Sequence, residues 1–554
     1  MLNLKTQLDA SGKLITVNPI SNKHDTKNYS LLVLFGSLLP LSMAPFNLWP
    51  AGIISVAGFS ILICGSSKKK LSFKAIFLRS LSYAIGLYTV GASWIFVSIH
   101  NYGQASVGLS LLLIALFILF LSLLFALPFA QCNKAIHTKI LSTGINSSFS
   151  LAVTMLLVFP SLWTLGEWFR GWVFTGFPWL YLGYAHTDTW ISGWAPITGV
   201  LGLSWITAFS GALLGFLFIL KQRFMVKKLQ TRGLLTSLSG GLTLTLFFWI
   251  GGFYLQKTEW TKPTNKIISI GLIQPAISLW SSWDPSQLDS ILAQYREDTK
   301  SLLGNDLVVW PEAAIPKFQN EVENYLVSIA AEAVDTNTSI IIGLPMMLNS
   351  NKDLSKKNKP YYYNSALALG QGSGVYHKQH LVPFGEYVPL EKWLRGTINF
   401  FDLPMSIFNA GQPNQKNIAI DGNITIGTSI CYEIAYSELV RKSAKNANLL
   451  LTMSNDSWFG GTIGPKQHFQ IARMRAIENR KPLIRATNNG VSALINADGK
   501  IVSIIPSYYR NTLEGVLEAR NGITPFGMFG SNPILLLSLF LILVGLFRAR
   551  LKYS

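Results

Sequence analysis

Eight apolar stretches set the first constraint on this chain. They lie at about 30–43, 49–66, 75–99, 106–131, 149–169, 192–220 and 233–255, and from Pro533 to Phe547. Crossing the hydrocarbon core of a bilayer takes roughly 20 apolar residues in a helix. Backbone in lipid must also satisfy its own hydrogen bonds, so these stretches are expected as helical spans. The first is short and runs into Pro45 and Pro50, so it reads as a broken or re-entrant pair as readily as two clean spans. Charge follows the same division. Before Gln256 and after Asn521 the only acidic residues are Asp9, Asp25, Glu167 and Asp188, whereas the segment between carries 26 basic and 23 acidic residues. The net charge of +19 thus splits into about +16 on the apolar flanks and +3 on the central segment. Because the basic excess sits in loops between apolar stretches, no nucleic-acid partner is expected.

Lysine and arginine accumulate on the cytoplasmic side of membrane proteins. Lys5, Lys13, Lys23 and Lys27 precede the first stretch; Lys68, Lys69, Lys70 and Lys74 follow the second; Lys134 and Lys139 follow the fourth. Lys221, Arg223, Lys227, Lys228 and Arg232 follow the sixth, and Arg548, Arg550 and Lys552 close the chain. The alternate loops hold one basic residue, Arg170. With eight spans every cluster falls on one side. The expected organisation is a cytoplasmic tail (1–28), a membrane domain of seven spans (29–255), an extracytoplasmic domain (256–526) and a last span with a short cytoplasmic tail (527–554). Glu167 and Arg170, i and i+3 near a span end, are expected to pair, with Trp163, Trp172 and Trp179 at headgroup level.

The central segment alternates strand and helix patterns, the mark of an α/β domain. Strands are expected at Ile267–Ile273, Leu307–Trp310, Ser339–Gly343 and Ser365–Leu369, and helices at Pro285–Leu303 and Glu321–Asp335. A further strand runs through Asn423-Ile-Thr-Ile-Gly-Thr-Ser-Ile up to Cys431, and a helix-like segment, Ser437 to Asn446, follows. Asn351 to Lys359 reads as an exposed loop. Ligands in open α/β sheets bind at the carboxyl ends of strands. Cys431 stands at such a place, although its local sequence alone favours a buried cysteine packed as a small hydrophobe. Two other positions repeat the pattern of a strand followed by a reactive side chain: Glu312 after Leu-Val-Val-Trp-Pro, and Lys378 after Gly-Val-Tyr-His. Together they supply the parts of an acyl-transfer site: a thiolate that attacks, a carboxylate that moves the proton, and an ammonium, with the backbone amide after the cysteine, for the oxyanion. Cys64 and Cys132 fall in or near spans, so no disulfide partner is expected for Cys431. A thiol reacting near neutral pH then needs its pKa lowered by Lys378 or base assistance from Glu312.

Several runs resemble one family. They are Val309-Trp-Pro-Glu312, Tyr376-His-Lys378-Gln-His-Leu-Val-Pro-Phe-Gly-Glu386-Tyr-Val-Pro389, Ser429-Ile-Cys431-Tyr432-Glu433, Asn455-Asp-Ser-Trp458-Phe-Gly, Gln467 to Arg480, and Arg485-Ala-Thr-Asn-Asn-Gly490. The chain is similar to the nitrilase superfamily, and within it to the membrane-embedded apolipoprotein N-acyltransferases. That resemblance implies a nitrilase-like α/β domain (an αββα sandwich) beside a multi-pass helical membrane domain. Cys431 is then the nucleophile that carries a fatty acyl thioester, Glu312 the general base and acid, and Lys378 the stabiliser of the tetrahedral intermediate. Glu386 is implied to support thiol and lysine, and Tyr432, Glu433 and Trp283 to shape the acyl or substrate pocket. The implied partners are a phospholipid donor, typically phosphatidylethanolamine, and a diacylglyceryl apolipoprotein acceptor, at the inner membrane of a bacterium with the catalytic domain in the periplasm. No cofactor is implied, and His377 and His380 lack the further ligands of a metal site. Arg473, Arg475 and Arg480, with Glu478 between, read as structural ion pairs, with a headgroup contact from Arg475 or Arg485 left open. Two other readings use the same residues differently: a tethered amidase with water as acceptor, and a transporter or receptor with an inert ectodomain.

Overall fold

The computed structural model describes residues 20–65, 71–132, 145–225, 231–282, 284–348, 360–394, 396 and 406–551, with two short strands at Thr6–Leu8 and Leu14–Thr16. Trp283, the expected loop Asn351–Lys359, and Lys5, Lys13, Lys68, Lys69, Lys70, Lys134, Lys139, Lys227, Lys228 and Lys552 lie outside the described residues.

Each apolar stretch contains a helix: α1 (Ile20–Leu38), α2 (Trp49–Cys64), α3 (Phe73–Ala92), α4 (Val107–Gln131), α5 (Phe159–Arg170), α6 (Ala195–Met225), α7 (Thr231–Gln256) and, at the far end, a helix at Asn532–Leu551. Among the described residues, four helical segments are long and apolar enough to cross a membrane: Phe73–Ala92, Val107–Gln131, Phe149–Arg170 and Trp190–Gln222. This is a multi-pass membrane domain. The helix ends depart from the hydropathy pattern where the backbone turns. α1 begins inside the stretch read as a polar tail, and the doubtful first stretch resolves into α1, one tight turn at Leu39–Ser42 and then α2. α3 stops at Ala92 rather than near 99, and the chain continues as the short helix Ile95–Val97 and the wide turn Ser98–Tyr102. α1 and α3 cross in close contact: a Cβ on Gly36 would meet Tyr83 O at 1.9 Å, and one on Gly86 would meet Val33 O at 2.1 Å. Small residues that let backbones touch are what hold helices together in lipid.

The central segment forms two six-stranded sheets. In the first, β1 (Lys262–Gln274), β2 (Leu307–Val309) and β3 (Ser339–Leu348) run parallel; β4 (Tyr361–Gly370) and β5 (Val375–His377) continue antiparallel on one side. In the second, β6 (Ile418–Ile420) pairs antiparallel with β7 (Ile424–Ile430), which runs parallel to β8 (Leu449–Ser454) and β9 (Leu483–Thr487). Two further antiparallel strands, β10 (Ser492–Ile495) and β11 (Ile501–Ile505), complete it, and β12 (Asn511–Asn521) returns to pair with β1. Ile270, Leu272, Val309 and Ile341 of one sheet meet Ile426, Leu451 and Ile484 of the other in a buried core. The strands are apolar on both faces because helices cover the outer sides. α8 (Leu288–Lys300) and α9 (Glu323–Asp335) cover the first sheet through Tyr295, Leu326 and Ile329. α10 (Ser437–Ala444) and α11 (Gly464–Asn479) cover the second, and their apolar residues belong to the same buried cluster as those of the membrane helices. The expected αββα sandwich is present, with one helical layer packed against the membrane domain.

Candidate active site

Glu312 and Cys431 emerge at the carboxyl ends of β2 and β7, one from each sheet, where the parallel strands of both sheets end together. Glu312 is placed by the turn Pro311–Glu312, which lies flat against Gly343 of β3: a Cβ there would meet Pro311 O at 2.3 Å and Glu312 Cα at 2.8 Å. A glycine inside a strand marks this kind of close backbone approach. Gly343→Ala is therefore expected to push the carboxylate out of register and lower acyl transfer at least about 10-fold. Circular dichroism should stay native, and a variant with wild-type turnover would show that the contact does not position Glu312.

The three buried ionisable groups share their hydrogen bonds. Lys378 Nζ donates to Glu312 Oε1 at 3.1 Å and to Glu386 Oε1 at 2.9 Å. Asn364 Nδ2 bridges the same oxygens at 2.8 and 2.9 Å, the backbone N–H of Asn455 donates to Glu312 Oε2 at 2.9 Å, and that of Val382 to Glu386 Oε2 at 2.8 Å. Burial alone would pull Lys378 down, but Glu312 and Glu386 overcome it and hold the ammonium well above the usual lysine range. Glu386 bonds Lys378, Asn364 and the Val382 amide, which places it behind the lysine.

Cys431 has a φ of +54° and opens a tight helical turn, Cys431–Ala435. Left-handed backbone at a residue other than glycine costs about 1–3 kcal/mol and persists only where the surroundings enforce it. Glu433 provides part of that enforcement. Its carboxylate accepts from the backbone N–H of Ile430 at 2.7 Å, of Gln379 at 2.6 Å and of His380 at 3.0 Å, and from the Tyr376 hydroxyl at 3.0 Å. Both oxygens are engaged, so Glu433 clamps the end of β7 to the loop that carries Lys378. Tyr432 reaches the other way, its hydroxyl donating to Gly176 O at 3.2 Å in the loop after α5, while Tyr436 donates to Thr175 O at 3.0 Å. In that loop Phe174 is 76% exposed and Trp172 52%, an apolar rim beside the site.

The Cys431 thiol is pushed above its ordinary range by burial and by Glu312, with Lys378 opposing. Of the two routes considered from sequence, this favours proton removal by a base during attack over a standing thiolate. Alkylation of Cys431 by iodoacetamide should therefore still be accelerating at pH 9, the ordinary value of a free thiol. A rate that levels off below pH 7 would mean a preformed thiolate.

Other expectations are redirected. Glu167 and Arg170 do not bridge each other: Glu167 Oε1 accepts from Trp163 Nε1 at 2.9 Å and Leu182 N at 2.8 Å, and Arg170 donates to Phe177 O and Trp179 O at 2.5 and 2.6 Å. A short loop that tucks back on the helix end offers backbone partners nearer than the carboxylate. Arg475 is buried on Glu478 at 3.1 Å and Arg485 on Asp456 at 2.8 Å, so neither faces a lipid headgroup. His377 bonds Ser365 Oγ at 2.7 Å, and His380 lies on the Tyr436 ring with centroids 3.8 Å apart. Asn364, the Asn455 amide, Asp456 and His468 carry no role in the sequence reading, although the last three lie in runs that match the family; Arg485, offered there as a headgroup contact, braces Asp456 instead.

Residues 35–213 match the model of the apolipoprotein N-acyltransferase N-terminal domain, and residues 269–515 that of the carbon-nitrogen hydrolases. The apolipoprotein N-acyltransferase of Pseudomonas syringae pv. tomato is 39% identical over 517 residues, covering 93% of this chain and 96% of that protein. The chain belongs to the apolipoprotein N-acyltransferase family. The apolipoprotein N-acyltransferase of Azotobacter vinelandii is 40% identical over 516 residues, covering 93% and 94%. Among solved structures, an amidase of the nitrilase superfamily from Nesterenkonia AN1 covers 45% of this chain and 90% of its own at 19% identity, with a TM-score of 0.33. Membership of the apolipoprotein N-acyltransferases accounts for both halves of the chain at once, the helical domain and the carbon-nitrogen hydrolase domain docked on it.

Proposed function

We propose that the chain moves a fatty acyl group from a phospholipid to the α-amine of the diacylglyceryl cysteine of an apolipoprotein, through a thioester on Cys431. The observation that carries this reading is the shared buried cluster of Glu312, Lys378 and Glu386 at the strand ends where Cys431 opens. Glu312 takes the thiol proton as sulfur adds to the ester carbonyl, and Lys378 with the Tyr432 amide faces the oxyanion. Collapse breaks the C–O bond; the lysophospholipid alkoxide leaves with the proton from Glu312. In the second half the acceptor amine adds to the thioester, Glu312 takes its proton, and the C–S bond breaks as Glu312 passes that proton to sulfur, restoring the thiol. The donor is phosphatidylethanolamine. The positive-inside pattern supports a cytoplasmic-membrane protein with residues 256–526 on the periplasmic side, where both lipid substrates meet the thiol without leaving the leaflet.

The test supplies labelled phosphatidylethanolamine and a diacylglyceryl lipopeptide. Lysophospholipid and N-acylated lipopeptide should form one for one, and a lipopeptide whose amine is acetylated should give neither beyond one turnover. Free fatty acid as the main product would instead indicate a hydrolase.

A further inference from the structure

A buried histidine beside Cys431 has no task in the acyl transfer. His468, on α11, is fully buried, and its Nε2 lies 3.1 Å from the backbone oxygen of Cys431. A carbonyl oxygen can only accept, so Nε2 carries the proton and donates. On the other side of the ring, Nδ1 faces Asp456 Oδ1 at 3.0 Å and Arg485 Nη2 at 3.2 Å. Those two are themselves fixed: Arg485 bonds Asp456 Oδ2 at 2.8 Å and Val491 O at 3.1 Å, and Ser454 Oγ donates to Asp456 Oδ1 at 2.7 Å. Burial raises the Asp456 carboxyl, but Arg485 and His468 overcome it and hold it below the usual carboxylate range, so it stays ionised.

The peptide that His468 grips is the one joining Cys431 to Tyr432. A trans peptide is planar, so fixing the direction of its C=O fixes its N–H in the opposite direction. That N–H belongs to Tyr432, the amide assigned to the oxyanion. Accepting a hydrogen bond at the oxygen also polarises the unit and strengthens the N–H as a donor. The grip matters more because Cys431 is held in left-handed backbone, from which a free peptide would rotate.

Building on the proposed acyl transfer, we infer that His468, braced by Asp456 and Arg485, is a positioning residue that aims the Tyr432 amide at the oxyanion. Its ring nitrogens are engaged by the Cys431 backbone oxygen, Asp456 and Arg485. α11 also contacts the membrane domain through Gln467, which accepts from Trp179 Nε1 at 2.7 Å, and Gln470, which accepts from Ala44 N at 2.9 Å. The helix that sets the oxyanion amide is thus referenced to the membrane helices as well as to the sheet.

Two reactions of the same sulfur separate this role from a merely structural one. Acylation by a phospholipid passes through an oxyanion; alkylation by iodoacetamide does not. In full-length protein in detergent, His468→Ala should slow acyl-enzyme formation about 10- to 100-fold, less than the roughly 10²–10³ of losing an oxyanion donor outright. KM for the phospholipid and the alkylation rate of Cys431 should change less than about 2-fold, and His468→Asn or His468→Gln, each of which offers an N–H to the carbonyl, should recover part of the loss. Equal loss of alkylation and acylation, or acylation at the wild-type rate, would overturn the inference. If His468→Ala does not fold, His468→Asn decides through the same ratio of the two rates. Wild-type protein that forms no hydroxylamine-labile acyl-enzyme at all would instead remove the acyl-transfer reading beneath it.

Discussion

Lys378→Met is expected to abolish both half-reactions and to destabilise the catalytic domain. The wild-type ammonium is buried between Glu312 and Glu386, at 3.1 and 2.9 Å, with only 1% of its side chain exposed. Removing one partner of a buried ionic group strands the others, at a cost of about 3–5 kcal/mol. Here Glu312 and Glu386, bridged by Asn364, would face each other with no cation between them. In a thermal melt of detergent-solubilised protein this corresponds to a fall in Tm of about 6–20 °C. Lys378→Arg should not rescue activity, because a planar fork cannot occupy a pocket shaped for a point charge between two carboxylates. Transfer above a tenth of wild type, or an unchanged melt, would remove the ammonium from its assigned place.

Glu312→Gln should separate two properties that a general loss of structure would move together. Acyl-enzyme formation should drop about 10²- to 10⁴-fold, the usual worth of a positioned base. At pH 9 and above, where bulk base removes the thiol proton, alkylation of Cys431 should become faster, because Glu312 raises the thiol's pKa and its charge is removed. The sign is opposite for the two assays. If alkylation slows there along with acylation, Glu312 holds the sulfur in place rather than only moving its proton.

The candidate catalytic residues were legible because each follows a short apolar strand, and strand ends are where α/β sheets expose chemistry. Glu312, Lys378 and Cys431 obey that pattern, and Lys378 and Glu312 share a hydrogen bond although 66 residues apart. The supporting residues do not advertise themselves. Asn364 is an ordinary polar residue within β4, and only the antiparallel pairing of β4 with β5, Ser365 opposite His377, brings it to Lys378. α11 shows no polar face because it is wedged between a sheet and the membrane domain, so Gln467, His468, Arg475 and Glu478 are all buried on it. A buried polar helix cannot be told from a solvated one by periodicity. Helices stand where the apolar stretches predict them, although four rather than eight of the described segments are long and apolar enough to span, and their ends are set by local turns. α6 shows this at Gly199, whose φ of +65° bends the chain within the apolar run and lets Phe526 pack where a Cβ would stand at 2.5 Å.

The central claim, that one sulfur carries the acyl group between two lipids, is tested most directly by trapping it. Full-length protein is incubated with phosphatidylethanolamine labelled in its acyl chains, without acceptor, and digested for mass spectrometry. The peptide containing Cys431 should gain one acyl mass, lose it on neutral hydroxylamine, and discharge it to a lipopeptide amine added later; Cys431→Ala should stay unlabelled. Acyl transfer that persists in Cys431→Ala, or a label on any other residue, would contradict the account.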